Sequence, residues 1–188
     1  MNPSVERHRR HSIRLREYDY TQAEAYFITV VAYGRTALFG EVAGGEARLN
    51  EFGRIVEWSW ADLPKHYLGV LCDEFVVMPN HIHGIIVLGQ PIVVGAGLKP
   101  APTRRHGLPE IVRALKTFSA RRINDIRHTP GAPVWQRNYY EHIVRGDGEL
   151  LRVREYIVNN PMEWENDREN SSCPVDVKST RIVEPWYV

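Results

Sequence analysis

A chain of 188 residues with 43% apolar and 25% charged side chains has the length and balance of a single folded domain with a real core. Its two cysteines, Cys72 and Cys173, exclude a disulfide framework. The first residues lack the apolar core of a signal peptide, and charges and prolines break every long apolar run, so the expectation is a cytoplasmic protein without a membrane span.

In chain order, residues 1–20 read as a basic arm carrying Arg7, Arg9, Arg10, Arg14 and Arg16 and ending Tyr18-Asp19-Tyr20. Residues 26–33 are rich in β-branched and aromatic side chains and predict a core strand stopped by Gly34. A short strand is expected over 38–42, before the Gly44-Gly45 turn. From 49 to 63, apolar residues at 52, 55, 58 and 63 predict an amphipathic helix that ends near Pro64. Two strands follow, about 70–78 and 81–88, with Pro79-Asn80 as a tight connection. The Pro- and Gly-rich stretch 89–107 reads as an inserted surface loop. A helix is expected over 108–127, with Ile111, Leu115, Phe118 and Ile123 turned inward. A turn at Thr129-Pro130-Gly131 leads to an extended segment over 134–140. Asp147 is positioned to cap a last helix over 148–159, which Pro161 terminates. The element order predicts an α+β domain over 21–170, an antiparallel sheet with helices on one face, followed by a tail over 171–188.

The net charge is only +1, but the charges are unevenly spread. Besides the arm, the middle segment carries Lys99, Arg104, Arg105, Arg113, Lys116, Arg121, Arg122 and Arg127 against Glu110 and Asp125 alone. Glu155, Glu163, Glu165, Asp167 and Glu169 concentrate acid later. Local basic surfaces, not net charge, set affinity for phosphate. Solvated faces are the commoner meaning of such clusters.

The run Phe75–Leu88 reads as buried β-structure interrupted by Asn80-His81-Ile82-His83. Residues two apart on a strand share a face. His81 and His83 therefore present two imidazoles side by side, a half-site for a divalent metal or simply two histidines on a half-exposed strand. Far downstream, Tyr156 and Asn160 stand four apart on the last helix and share one of its faces. An Asn160 amide oxygen is a candidate third ligand, which would put the Tyr156 hydroxyl beside the metal. A phenol is a poor nucleophile near neutral pH, and a metal that polarises a phosphate supplies the missing activation. Taken singly, Asn160 before Pro161 is an ordinary helix terminator, and Tyr156 an ordinary packing residue.

The motifs together resemble the REP-associated tyrosine transposases, a branch of the HUH single-strand DNA transposases. The resemblance runs from Arg9-Arg10-His11-Ser12-Ile13-Arg14-Leu15 and Tyr18-Asp19-Tyr20 through Met78-Pro79-Asn80-His81-Ile82-His83. It continues through Trp135-Gln136-Arg137-Asn138-Tyr139-Tyr140-Glu141-His142 and closes with Arg154-Glu155-Tyr156-Ile157-Val158-Asn159-Asn160-Pro161. It implies a ferredoxin-like fold with the histidines on a central strand. It also implies one Mg²⁺ or Mn²⁺ ion on His81, His83 and Asn160, and Tyr156 as the nucleophile that forms a 5′-phosphotyrosine link with single-stranded DNA. The implied partners are hairpins of repetitive extragenic palindromes with adjoining single strand, bound by a monomer or homodimer. Arg9, Arg10, Arg14 and Arg16 on the arm, and Arg113, Lys116, Arg121 and Arg122 on the middle helix, are the candidate DNA contacts. A closed structural zinc site would want four protein ligands, often thiolates, and the two cysteines have no such spacing. Tyr139 and Tyr140 compete as nucleophiles but lack metal-ligand residues at matched spacing, so stacking or packing suits them better. The rival functions are a replication-initiator or relaxase-type nickase and a non-catalytic protein that binds the repeats.

Overall fold

A computed structural model describes residues 24–89 and 106–170. The basic arm with Arg9, Arg10, Arg14 and Arg16, most of the inserted loop, and the tail with Cys173 lie outside the described residues. Strands β1 (Ala25–Val31), β4 (Val70–Val77), β5 (His81–Leu88) and β6 (Tyr140–Val144) form one antiparallel sheet in the order β4-β5-β1-β6. A hairpin of β2 (Gly40–Ala43) and β3 (Glu46–Leu49) precedes helix α1 (Glu51–His66); α2 (Leu108–Arg127) and α3 (Gly146–Asn159) complete the domain. Leaving the hairpin and α3 aside, this is two interleaved β-α-β crossovers, the ferredoxin-like arrangement that the resemblance implied. Residues of α1 and α2 share one core, so both helices cover the same face.

Alternation along β1 and β5 divides the side chains between two cores. Tyr26, Ile28, Val30, Ile82 and Ile86 pack under α1 and α2 with Val56, Trp60, Leu63, Ile111, Leu115 and Ile123. Phe27 and Ile85 face the other way and pack with Val153 and Ile157 of α3. The expectation of helices on one face thus holds for the two crossover helices, while α3 lies on the opposite face. That face is the one to which the histidines belong.

Some local readings need correcting. The buried stripe of α1 is Gly53, Val56, Ser59, Trp60 and Leu63, which leaves Trp58 exposed; on α2, Phe118 is exposed and Val112, Ala114 and Ser119 are buried instead. Pro64 sits inside α1 and does not end it. A proline deprives the carbonyl four residues earlier of its donor, and here the Cys72 thiol donates to that carbonyl, Trp60 O, at 3.5 Å. The extended stretch expected at 134–140 first meets the end of β1 through an isolated bridge between Trp135 and Ala32 and joins the sheet as a strand from Tyr140 onward, and α3 starts at Gly146 with Arg145, not Asp147, in the cap position. Asn50 caps α1 by accepting from the Phe52 and Gly53 amides at 2.9 and 3.0 Å.

Candidate active site

Central strand β5 pairs with β1 so that His83 stands opposite Thr29 and His81 opposite Val31. Both imidazoles are buried on the α3 side of the sheet. Their Nε2 atoms converge to 3.0 Å. The rest of each ring is held from behind. Asn80 donates its amide hydrogens to the carbonyls of Arg35 (3.2 Å) and Glu169 (2.7 Å), which turns its Oδ1 toward His81 Nδ1 at 2.9 Å. His81 Nδ1 must then carry the proton, and its Nε2 lone pair faces the site. Thr29 Oγ1 meets His83 Nδ1 at 2.8 Å and holds the orientation of the second ring, which also stacks on Phe27 at 5.3 Å. Carbonyl, amide and hydroxyl supports of this kind orient metal-ligating histidines.

Burial keeps both rings neutral, the form that a ligand needs. His81 is pushed down to about 3, by burial first and then by the charge of Arg35, with the Asn160 side chain opposing. His83 is lowered well below the usual imidazole range by burial, with His81 adding to the shift and Asp167 opposing it.

Helix α3 brings the rest. The Tyr156 hydroxyl lies 3.4 Å from His83 Nε2, and its ring meets Phe27 edge-on at 5.9 Å. Asn160, at the C-terminal end of α3, is buried, and its Oδ1 accepts no hydrogen bond among the described residues. Asp167 is also buried; its Oδ2 accepts no hydrogen bond and sits 3.7 Å from His81 Nε2. One ligand atom from each of His81, His83 and Asp167 lies within 4.8 Å of the others.

This donor set fits a divalent cation. Two lone-pair nitrogens and two unpartnered buried oxygens are costly in the absence of a positive charge.

No family model matches the chain. A Haemophilus influenzae protein described as uncharacterized is 39% identical over 173 residues, covering 86% of this chain and 93% of its own. A second Haemophilus influenzae protein, named "Putative REP-associated tyrosine transposase", is 27% identical over 177 residues, 89% of this chain and 90% of its own. Among solved structures, a REP-associated tyrosine transposase bound to a REP hairpin has the same fold: the TM-score is 0.55 over 82% of this chain and 74% of that one, at 18% identity. The chain is thus similar in sequence to a protein named for the REP-associated tyrosine transposases and shares the fold of one of known structure.

Two further contacts fix α3 over the histidines. Strand β4 bulges between Cys72 and Phe75, and Asp73 in that bulge takes a two-pronged hydrogen bond from Arg154, at 2.9 Å from Nε and 2.6 Å from Nη2. At the other end of α3, His142 on β6 bonds Glu149 at 2.7 Å, and Glu149 also accepts the Arg145 amide. His142 is therefore a structural support of α3, not a loose surface histidine. Tyr140 is half-exposed, opposite Thr29 in register and 6.4 Å from Phe27, so it shares the histidines' face two strands away from them.

The candidate DNA contacts on α2 fall elsewhere. Arg113, Arg121 and Arg122 are exposed on the helix that covers the opposite face, and Arg122 lies over the Trp58 ring at 3.9 Å. Lys116 turns inward: its ammonium donates to the carbonyls of Gln136, Arg137 and Asn138, and burial lowers its pKa to about 8. Its three donors are spent on the protein. Sequence reasoning missed Thr29, Asp73, Asn80 and Asp167 as parts of the site. Asp167 was hidden in what reads as a solvated acidic run, whereas Asn80 sits within the histidine motif itself.

Proposed function

We propose that this protein cuts and rejoins single-stranded DNA beside palindromic hairpins, with Tyr156 as nucleophile and a Mg²⁺ or Mn²⁺ ion held by His81, His83 and Asn160. The observation that carries the reading is the approach of the Tyr156 hydroxyl to within 3.4 Å of His83 Nε2, one of two neutral imidazole nitrogens that converge at 3.0 Å. A nucleophile and a cation site side by side are what phosphodiester cleavage through a covalent intermediate requires.

When bound, the ion supplies Lewis-acid polarisation of a phosphate oxygen. The chain does the rest. Asn80 and Thr29 hold the imidazoles with their Nε2 atoms toward the site. Val153 and Ile157 seat α3 on Phe27 and Ile85, and the Asp73–Arg154 pair sets how α3 is turned, so that Tyr156 meets the phosphate from a fixed direction. In the step itself the Tyr156 oxygen bonds to phosphorus as the bond to the 3′-oxygen breaks, which leaves a 5′-phosphotyrosine and a free 3′-hydroxyl. One phosphate ester replaces another, so the reversal needs no nucleotide triphosphate.

Arg113, Arg121 and Arg122, together with Arg9, Arg10, Arg14 and Arg16 of the arm, are the proposed phosphate and groove contacts; Lys116 drops out of that set. Deleting residues 1–17 should weaken hairpin binding and flatten its salt dependence.

The test is an oligonucleotide hairpin with a single-stranded flank, incubated with the protein and Mn²⁺. The wild-type chain should give a covalent adduct that survives denaturation, and Tyr156→Phe should give none. Adduct formation by Tyr156→Phe at the wild-type level would refute the assignment.

A further inference from the structure

The turn after α3 is tied to the histidine strand by several bonds. Asn80, which orients His81, donates to the Glu169 carbonyl; Arg35 pairs with the Glu169 carboxylate and donates to the Arg168 carbonyl at 3.2 Å. The Trp164 ring lies 6.0 Å from that of His81. The result is a fixed position for Asp167. Its Oδ1 accepts the Glu169 amide within its own turn, at 2.6 Å. Its Oδ2, buried and without a hydrogen bond, points at the histidine nitrogens.

We infer that Asp167 is a further ligand of the cation held by His81 and His83, and that it supplies the negative charge that the other ligands lack. The inference rests on the reading of the histidine pair as a metal centre. Two imidazoles and an amide are all neutral, and a buried dication held by neutral ligands alone keeps its full charge in a medium of low polarity. A carboxylate oxygen is also the donor that Mg²⁺ and Mn²⁺ prefer. Conversely, a buried carboxylate oxygen without a hydrogen bond is expensive in a neutral setting, and a cation beside it removes that cost. The arrangement has a structural consequence: cation binding should fasten the 164–170 turn to the sheet.

Isothermal titration with Mn²⁺, on DNA-free protein stripped with EDTA, tests this. Asp167→Asn keeps an oxygen for the Glu169 amide and removes the charge, and should bind Mn²⁺ at least about tenfold more weakly than wild type. His83→Ala should lose binding. If Asp167→Asn binds within about twofold of wild type while His83→Ala does not bind, Asp167 is no ligand and the metal centre stands. If wild type binds no Mn²⁺, both readings fall. A second measurement needs no variant: hydrogen exchange of the wild-type 164–170 amides should slow on adding Mn²⁺. Unchanged exchange in protein that binds Mn²⁺ overturns the inference.

Discussion

Replacing Gly84 with alanine should destabilise the protein through the face of β5 that the active site does not use. Gly84 follows His83 and faces the α1 side, where a methyl group would lie 2.5 and 2.8 Å from Trp60 Cη2 and Cζ2 and 2.9 Å from Phe75 Cδ2. Comfortable carbon contacts are about 3.5–4.0 Å, so the overlap is close to 1 Å. Trp60 has little room to retreat: it is buried and stacked on Phe75 with centroids 4.3 Å apart and planes within 10°. Overpacking of this kind costs about 1–3 kcal/mol, and alanine recovers about 0.5–1 kcal/mol by restricting the unfolded chain. A net loss of about 1–2 kcal/mol lowers the melting temperature of a domain this size by about 2–8 °C. Urea and thermal melts of Gly84→Ala measure it. Trp60→Phe removes the clashing half of the indole, so the double variant should be less destabilised than the sum of the two single ones. A Gly84→Ala melting temperature equal to or above wild type would refute the packing argument.

Three further outcomes follow from contacts around α3 and α1. Asp73→Asn should slow adduct formation about tenfold by loosening α3, with Mn²⁺ affinity unchanged. Arg154 holds the Asp73 carboxyl below its ordinary value of 3.8, so the pair's contribution to stability is complete above that pH and is lost as the pH falls below it. The stability gap between wild type and Asp73→Asn, from urea melts, should therefore be wider at neutral pH than in strong acid; an equal gap would argue against the ion pair. The Cys72 thiol, raised to about 12 by burial, should react with a disulfide reagent at about pH 8 at least about a hundredfold more slowly in the native Cys173→Ser protein than in the denatured chain. Equal rates would contradict its burial against Trp60.

Much of this was legible in the sequence because periodicity reports local faces. The strand over 81–88, the shared face of His81 and His83, and the helix over 108–127 all appear as read. The site residues Tyr156 and Asn160 were legible only jointly, since each alone has an ordinary packing role. What escaped was set by tertiary geometry. Helical spacing does not say on which face of the sheet α3 lies, nor that a bulge in β4 turns Asp73 toward Arg154. Lys116 looked like a phosphate contact because its charge is visible in sequence and the three carbonyls that take it up are not. Asp167 looked solvated for the same reason: the bonds that hold its turn against the sheet come from Arg35 and Asn80, more than eighty residues upstream.

The central claim is that Tyr156, not Tyr139 or Tyr140, becomes linked to DNA, and peptide mapping of the adduct tests it most directly. Trypsin cleavage after Arg137, Arg145, Arg154 and Arg168 separates the candidates, with Tyr139 and Tyr140 on the 138–145 peptide and Tyr156 on the 155–168 peptide. After nuclease trimming, tandem mass spectrometry should find the 5′-nucleotide mass on the 155–168 peptide, at Tyr156. A nucleotide on the 138–145 peptide would contradict the account.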